Sequence, residues 1–236
     1  MDAIPNLSEP YKKAGKFNRR AWFFPEEYKQ LNSATRERAK NPKRLDKRVG
    51  CEDLHDHVLF MVNTGLRPDE ANRLEFRDVK IVKENVGDAK QTILHIDVRG
   101  KCGTGYCKSM PGAVFPFQRI TKRRSPGPTD LQSALSRLAP HPTDRIFPKS
   151  HRMLFNAILA EEGLKFDRDG QRRSAYCLRH IYISLRLMEG ADIYQIAKNC
   201  RTSVEMIEQH FAAHIKNMID ATAINVRKPR AYQGKF

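Results

Sequence analysis

The stretch Thr64-Gly65-Leu66-Arg67-Pro68-Asp69-Glu70 constrains this chain most. Upstream, Leu54, Val58 and Val62 recur every fourth residue, the spacing of one buried helix face. Gly65 ends that helix and Pro68 can open another, with Ala71 and Leu74 facing inward. A permanently charged arginine is thus fixed where two helices meet, beside Glu70, which can hold it. A second arginine sits in Tyr176-Cys177-Leu178-Arg179-His180, on a helix that otherwise reads as buried. A buried arginine needs a reason.

Around these two stretches the pattern is that of an α+β chain, mainly helical. A helix starts at Phe24-Pro25-Glu26-Glu27 and is stopped by Asn41-Pro42. A basic loop with Lys43 and Arg44 follows. From Val79 the period changes to alternation, through Val79, Ile81 and Ile93–Val98, which predicts a small antiparallel sheet of three strands. Gly100 to Gly105 read as a glycine-rich turn, and Ala113-Val114-Phe115 as the start of the exit from the sheet. Helices are expected at roughly 129–138, 149–163, 174–189, 192–199, 203–211 and 214–224. Residues 1–20 read as a basic linker before one domain over 21–236.

There are 43 Lys and Arg against 27 Asp and Glu, a net charge of +16. That excess favours a polyanionic partner through counterion release, and nucleic acid is the expected one. The strands offer no aromatic platform of the kind that binds single-stranded RNA. The five cysteines show neither zinc spacing nor a Cys-x-x-Cys pair and read as reduced thiols of a cytoplasmic protein. No apolar run suits a signal segment or a membrane span.

Two guanidinium groups converging on one phosphodiester would stabilise the charge that builds on its non-bridging oxygens during transfer. Arg67 and Arg179 are the candidates, with surface ion-pairing as the plainer alternative. Lys101, in Val98-Arg99-Gly100-Lys101-Cys102-Gly103, sits where a hairpin tip could deliver a general acid to a leaving oxygen. The plainer reading is an exposed loop lysine, and Lys108 is the second choice for the role. Lys43, Arg44 and Lys108 are candidate contacts to DNA.

Taken in order, these motifs resemble the tyrosine recombinase, or phage integrase, family. The resemblance runs from about Ala21 through Thr64–Glu70, Leu74, Asp78-Val79, Lys101, Leu178-Arg179-His180 and Gly190 to the helix Thr202–Phe211. It implies the α+β catalytic domain of that family, with its small three-stranded antiparallel sheet. It implies site-specific recombination of a mobile element: a tyrosine attacks the DNA backbone, a 3′-phosphotyrosyl bond forms, and a 5′-hydroxyl leaves and later religates. Neither metal nor nucleotide cofactor is implied. Arg67 and Arg179 would clamp the phosphate, Lys101 would protonate the leaving oxygen, and Glu70 would support Arg67. His180 would be structural. The implied partners are double-stranded DNA and further copies of the chain, as a tetramer on DNA. The amphipathic segment with Ile215, Met218 and Ile219 would dock on a neighbouring copy. The family's preceding DNA-binding helical domain is expected to be missing.

Three departures mark the site. Tyr176 stands where the family has histidine, and a phenol with a pKa of ~10 is a poor base at neutral pH. Arg201 falls at the family's histidine or tryptophan and could still donate to a phosphate. Phe211 occupies the nucleophile position and has no oxygen to attack with. Three explanations stand side by side: a tyrosine replaced to trap DNA, a relative that binds without cleaving, and a nucleophile elsewhere, at Tyr194 or Tyr232. Phe211 also shares a helical face with Val204 and Ile207, as a core residue would.

Overall fold

The computed structural model describes residues 21–86, 89–100, 103–125 and 139–211. The expected helices at 129–138 and 214–224, the linker, the docking segment and Lys101 lie outside them.

Helix α1 (Pro25–Lys40) opens on proline with Glu26 and Glu27 in its first turn, favourable against the positive end of the helix. Helix α2 (Arg48–Thr64) is the central element. It buries Leu54, Val58, Phe60 and Met61 and packs against α1, α4 (Val114–Arg124), α5 (Arg152–Glu161) and α6 (Tyr176–Met188). Gly65 stops it in the left-handed region, at φ 65°, and α3 (Pro68–Ala71) is a single turn.

The sheet has the order β1 (Val79–Val86), β2 (Ala89–Gly100), β3 (Gly103–Lys108), antiparallel throughout. Ile96 is the register mark, facing Val79 on one side and Cys107 on the other. Leu94, Ile96 and Val98 alternate into the core. The glycine-rich turn is shorter than its composition suggests. Gly103, Gly105 and Thr104 belong to β3, with Gly105 paired to Val98, because the ladder satisfies their backbone groups.

The exit from the sheet is likewise more ordered than expected. Val114–Arg124 is a helix that buries Val114, Phe117 and Ile120 at helical spacing. Its basic end reaches the buried Asp53 and Asp56 on α2. Arg119 Nε donates to Asp56 Oδ1 at 2.8 Å, and Arg123 and Arg124 also engage this pair. Buried carboxylates survive only when paired in this way.

Arg173 is a second buried cation. It donates to the carbonyls of Trp22 (2.7 Å), Leu164 and Phe166 and to the Glu27 carboxylate (2.6 Å), and lies over the Phe23 ring. It thereby ties the start of the domain to the approach to α6.

After α6 come α7 (Ile193–Cys200) and α8 (Val204–His210), capped by the Asp192 and Ser203 side chains. Tyr182, Ile183, Ile196, Cys200, Ile207 and Phe211 form a second apolar cluster there. Among the described residues no helix is long and apolar enough to cross a membrane, and Cys51, Cys107, Cys177 and Cys200 are unbridged.

Candidate active site

Two backbone junctions come together here. One is the break between α2 and α3, at Gly65–Arg67. The other is the end of α7, at Cys200–Arg201. Arginines hold them together. Arg179, one turn into α6, donates through Nη1 to the Gly65 carbonyl and through Nη2 to the Cys200 carbonyl, both at 2.6 Å. Arg67 donates through Nη2 to the Arg201 carbonyl at 2.8 Å. Carbonyls at helix ends lack intrahelical partners, so these cations satisfy groups that would otherwise be orphaned.

Glu70 is the anion of the site and is 2% exposed. Its carboxylate accepts from the Arg67 backbone N–H and from Arg67 Nη1, each at 2.8 Å. It also pairs with Arg201. Burial raises the Glu70 pKa, but the Arg67 N–H and the charges of Arg201 and Arg67 outweigh it, and the net shift is downward. Arg179 has the opposite problem. It is 1% exposed, and burial pulls its pKa down, aided by the charge of Arg67. Its Nε has no hydrogen-bond partner among the described residues.

Arg201 adopts φ 52°, a left-handed conformation unusual for a residue with a Cβ. As the C-cap of α7 it turns the chain, and its side chain runs inward to Glu70 instead of outward. Sequence reasoning offered it to a phosphate; the structure places it on the carboxylate that also holds Arg67. The hairpin leaves room for this. A Cβ on Gly105 would lie 2.8 Å from Arg201 Cδ, and one on Gly100 would lie 2.9 Å from Glu70 Cγ. Gly100 at the end of β2 and Gly105 in β3 therefore let these two strands lie directly on the site.

Tyr176 begins α6 and is half-buried. Its ring meets His180 edge-on at 5.7 Å, and His180 lies against Phe211 at 4.3 Å. His180 and Phe211 are both buried. The structure thus brings together Arg67, Glu70, Arg179 and Arg201, with Tyr176, His180 and Phe211 adjoining through α6. Lys43 pairs with Glu161, Arg44 with Asp46 and Lys108 with Glu84, each at the surface and outside this cluster. Tyr194 is exposed on α7. No group of His, Cys, Asp and Glu among the described residues could hold a metal.

No family model and no curated protein matches the sequence. Solved structures do match. XerA recombinase is 15% identical, with 89% of this chain and 67% of that one covered at a TM-score of 0.57. XerH site-specific recombinase, bound to a palindromic difH substrate after cleavage, is 15% identical, with 87% and 53% covered at 0.55. The Tn1549 transposon integrase in complex with transposon right-end DNA is 14% identical, with 91% and 67% covered at 0.50. The chain spans about two thirds of XerA and about half of XerH. With a mainly helical body, one three-stranded antiparallel sheet and these neighbours, the chain has the fold of the tyrosine recombinase catalytic domain.

Proposed function

We propose that this chain is the catalytic domain of a site-specific DNA recombinase, an integrase of a mobile element, and that with Phe211 at the nucleophile position it binds DNA without cleaving it. The observation that supports this reading most is the Arg67–Glu70–Arg201 cluster joined to Arg179. It concentrates positive charge at fixed backbone junctions, and preorganised charge of this kind stabilises a phosphoryl-transfer transition state. Glu70 fixes Arg67 through both its backbone and its side chain. Arg67, the more exposed of the two arginines, meets the phosphate first, and Arg179 stands behind it at the same junction. Lys101, on the hairpin that Gly100 and Gly105 let approach, protonates the leaving 5′-oxygen. Arg201 serves as a positioning residue through Glu70. Phe211 supplies the ring of the nucleophile without its oxygen. Residues 1–20 add a basic linker, and copies of the chain assemble as a tetramer on DNA.

The test starts by selecting duplexes from a random pool on the chain itself. Nicked versions of the selected site are then incubated with the chain and with Phe211→Tyr. A covalent adduct, resistant to denaturation and seen by mass, is expected only with Phe211→Tyr. A second reading, a DNA-binding module with no cleavage chemistry, draws on the burial of Phe211 and the commitment of Arg201 to Glu70. It predicts tight binding and no adduct from either protein.

A further inference from the structure

A cavity of about 430 Å³ adjoins the N-terminus of α6, within the ~300–1,000 Å³ range of small-molecule sites. Its lining is aromatic at the base: His57 and Phe155, both buried, with Tyr176 beside them. Burial, and then the neighbouring His151, lower the His57 pKa to about 3, so its ring is neutral at physiological pH. Asn72 adds a side-chain amide, and Asn156 a second one whose oxygen already accepts from Lys165. An amide offers donor and acceptor side by side, the pairing that reads the edge of a nucleobase.

One side of the cavity is strongly cationic. Arg152 and Arg172 line it, and Lys165 bonds Asn156 next to them. Burial and then the two arginines lower the Lys165 pKa, so the three charges feel one another. Among the described residues none of the three is ion-paired to a carboxylate. Like charges held together without a counter-ion repel, and a bound anion removes that cost. Two helix N-termini add to the field. α5 starts at Arg152 and α6 at Tyr176, and neither has an acidic residue in its first turn. The cavity also borders the candidate active site, since Pro68 follows Arg67 and Leu178 precedes Arg179.

We propose that this cavity is a nucleotide site: a nucleobase enters between His57, Phe155 and Tyr176, and its phosphate rests on Arg152, Lys165 and Arg172. The source that fits its position is a nucleotide swung out of the duplex beside the phosphate at Arg67, a step that rests on the recombinase reading. Stacking on the aromatic lining offsets the loss of stacking in DNA. A free nucleotide has the same chemistry and is the other source.

The experiment uses duplexes selected on the chain, fully paired or with one unpaired nucleotide at successive positions, and separately the four deoxynucleoside monophosphates. Binding is read by fluorescence anisotropy for duplexes and by calorimetry for monophosphates. The variants are Asn72→Trp, which fills the cavity from an exposed position, and the double change Arg152→Gln, Arg172→Gln; thermal melts confirm that each folds. At one position the unpaired duplex is expected to bind roughly tenfold tighter than the paired one. Asn72→Trp should bring that ratio to about one and leave paired-duplex affinity within about twofold. Saturable monophosphate binding lost in both variants, with no preference among duplexes, would assign the site to a free nucleotide. No preference and no monophosphate binding would overturn the proposal, as would a preference that survives both variants. If the chain binds no duplex at all, the recombinase reading fails, and the monophosphates alone decide the cavity.

Discussion

His180 and Phe211 lie against each other, their ring centroids 4.3 Å apart and their planes inclined by 41°. His180 directly follows Arg179, so Phe211, proposed here as the nucleophile position, is seated on the helix that carries a candidate phosphate ligand. Phe211 is also a core residue, in contact with the cluster around Ile207 and Ile196. These roles separate by substitution. Phe211→Ala should cost about 3–5 kcal/mol in urea denaturation, as loss of a buried ring does. Phe211→Tyr adds one hydroxyl to a buried ring and should cost less, at most about 1–3 kcal/mol where that hydroxyl finds no partner. Its DNA affinity should stay within about twofold. A Phe211→Tyr protein as unstable as Phe211→Ala would show that this pocket cannot house a phenol.

Glu70 makes stability depend on acid. Its folded pKa lies below the ordinary 4.5. The stabilisation is therefore fully present above about that pH and fades as pH falls through the lowered folded value. Glu70→Gln should remove this dependence, so the two denaturation curves should converge at acid pH and diverge toward neutrality. Glu70→Ala should cost about 3–5 kcal/mol, because it leaves two guanidinium groups in a buried setting without their carboxylate. Equal loss at pH 3 and pH 7 would be incompatible with Glu70 acting as the paired anion.

Arg67, Glu70 and Arg179 were legible in sequence because a glycine and a proline fix the junction locally and a charged residue interrupts an apolar helix. The three strands were legible from alternation. The direction of Arg201 was not. Whether a guanidinium at a helix end turns to solvent or to a carboxylate 131 residues earlier is decided by tertiary packing, here by two glycines on another hairpin. α4 was missed because Pro116 stands within its first turn, where proline is tolerated, and reads from sequence as a breaker. The Asp53–Asp56 cluster was missed for a related reason. Its partners, Arg119, Arg123 and Arg124, look like a solvated basic run until α4 is placed against α2.

Arg201 carries a conformational cost as well as a charge. At φ 52° a residue with a Cβ is disfavoured by about 1–2 kcal/mol relative to glycine. Arg201→Gly and Arg201→Ala both lose the pair with Glu70, but only glycine relieves the backbone. Arg201→Gly should therefore be more stable than Arg201→Ala by about 1–2 kcal/mol in urea denaturation. Both should weaken DNA binding, because Arg67 loses part of the frame that positions Glu70. Equal stabilities would mean that the left-handed turn is absent in solution.

Gly65 joins the end of α2 to Arg179, and its lack of a side chain is required twice over. Its φ of 65° is left-handed, and a Cβ would sit 2.4 Å from Tyr182 Cδ1 and 3.0 Å from Cys200 Sγ. Tyr182 has little freedom to withdraw. It is buried, and its hydroxyl accepts from Asn199 Nδ2 at 3.0 Å. Gly65→Ala should therefore cost about 3 kcal/mol or more, backbone strain and overpacking together. The contributions separate in a Tyr182→Ala background, where the ring clash is gone and the backbone part, about 1–2 kcal/mol, should remain together with the milder contact to Cys200 Sγ. The Gly65 carbonyl accepts from Arg179, so the clash reaches the candidate site as well. Gly65→Ala should weaken binding to a selected duplex more than Tyr182→Ala does. A cost for Gly65→Ala that is the same in both backgrounds would place the ring elsewhere and detach Gly65 from α6.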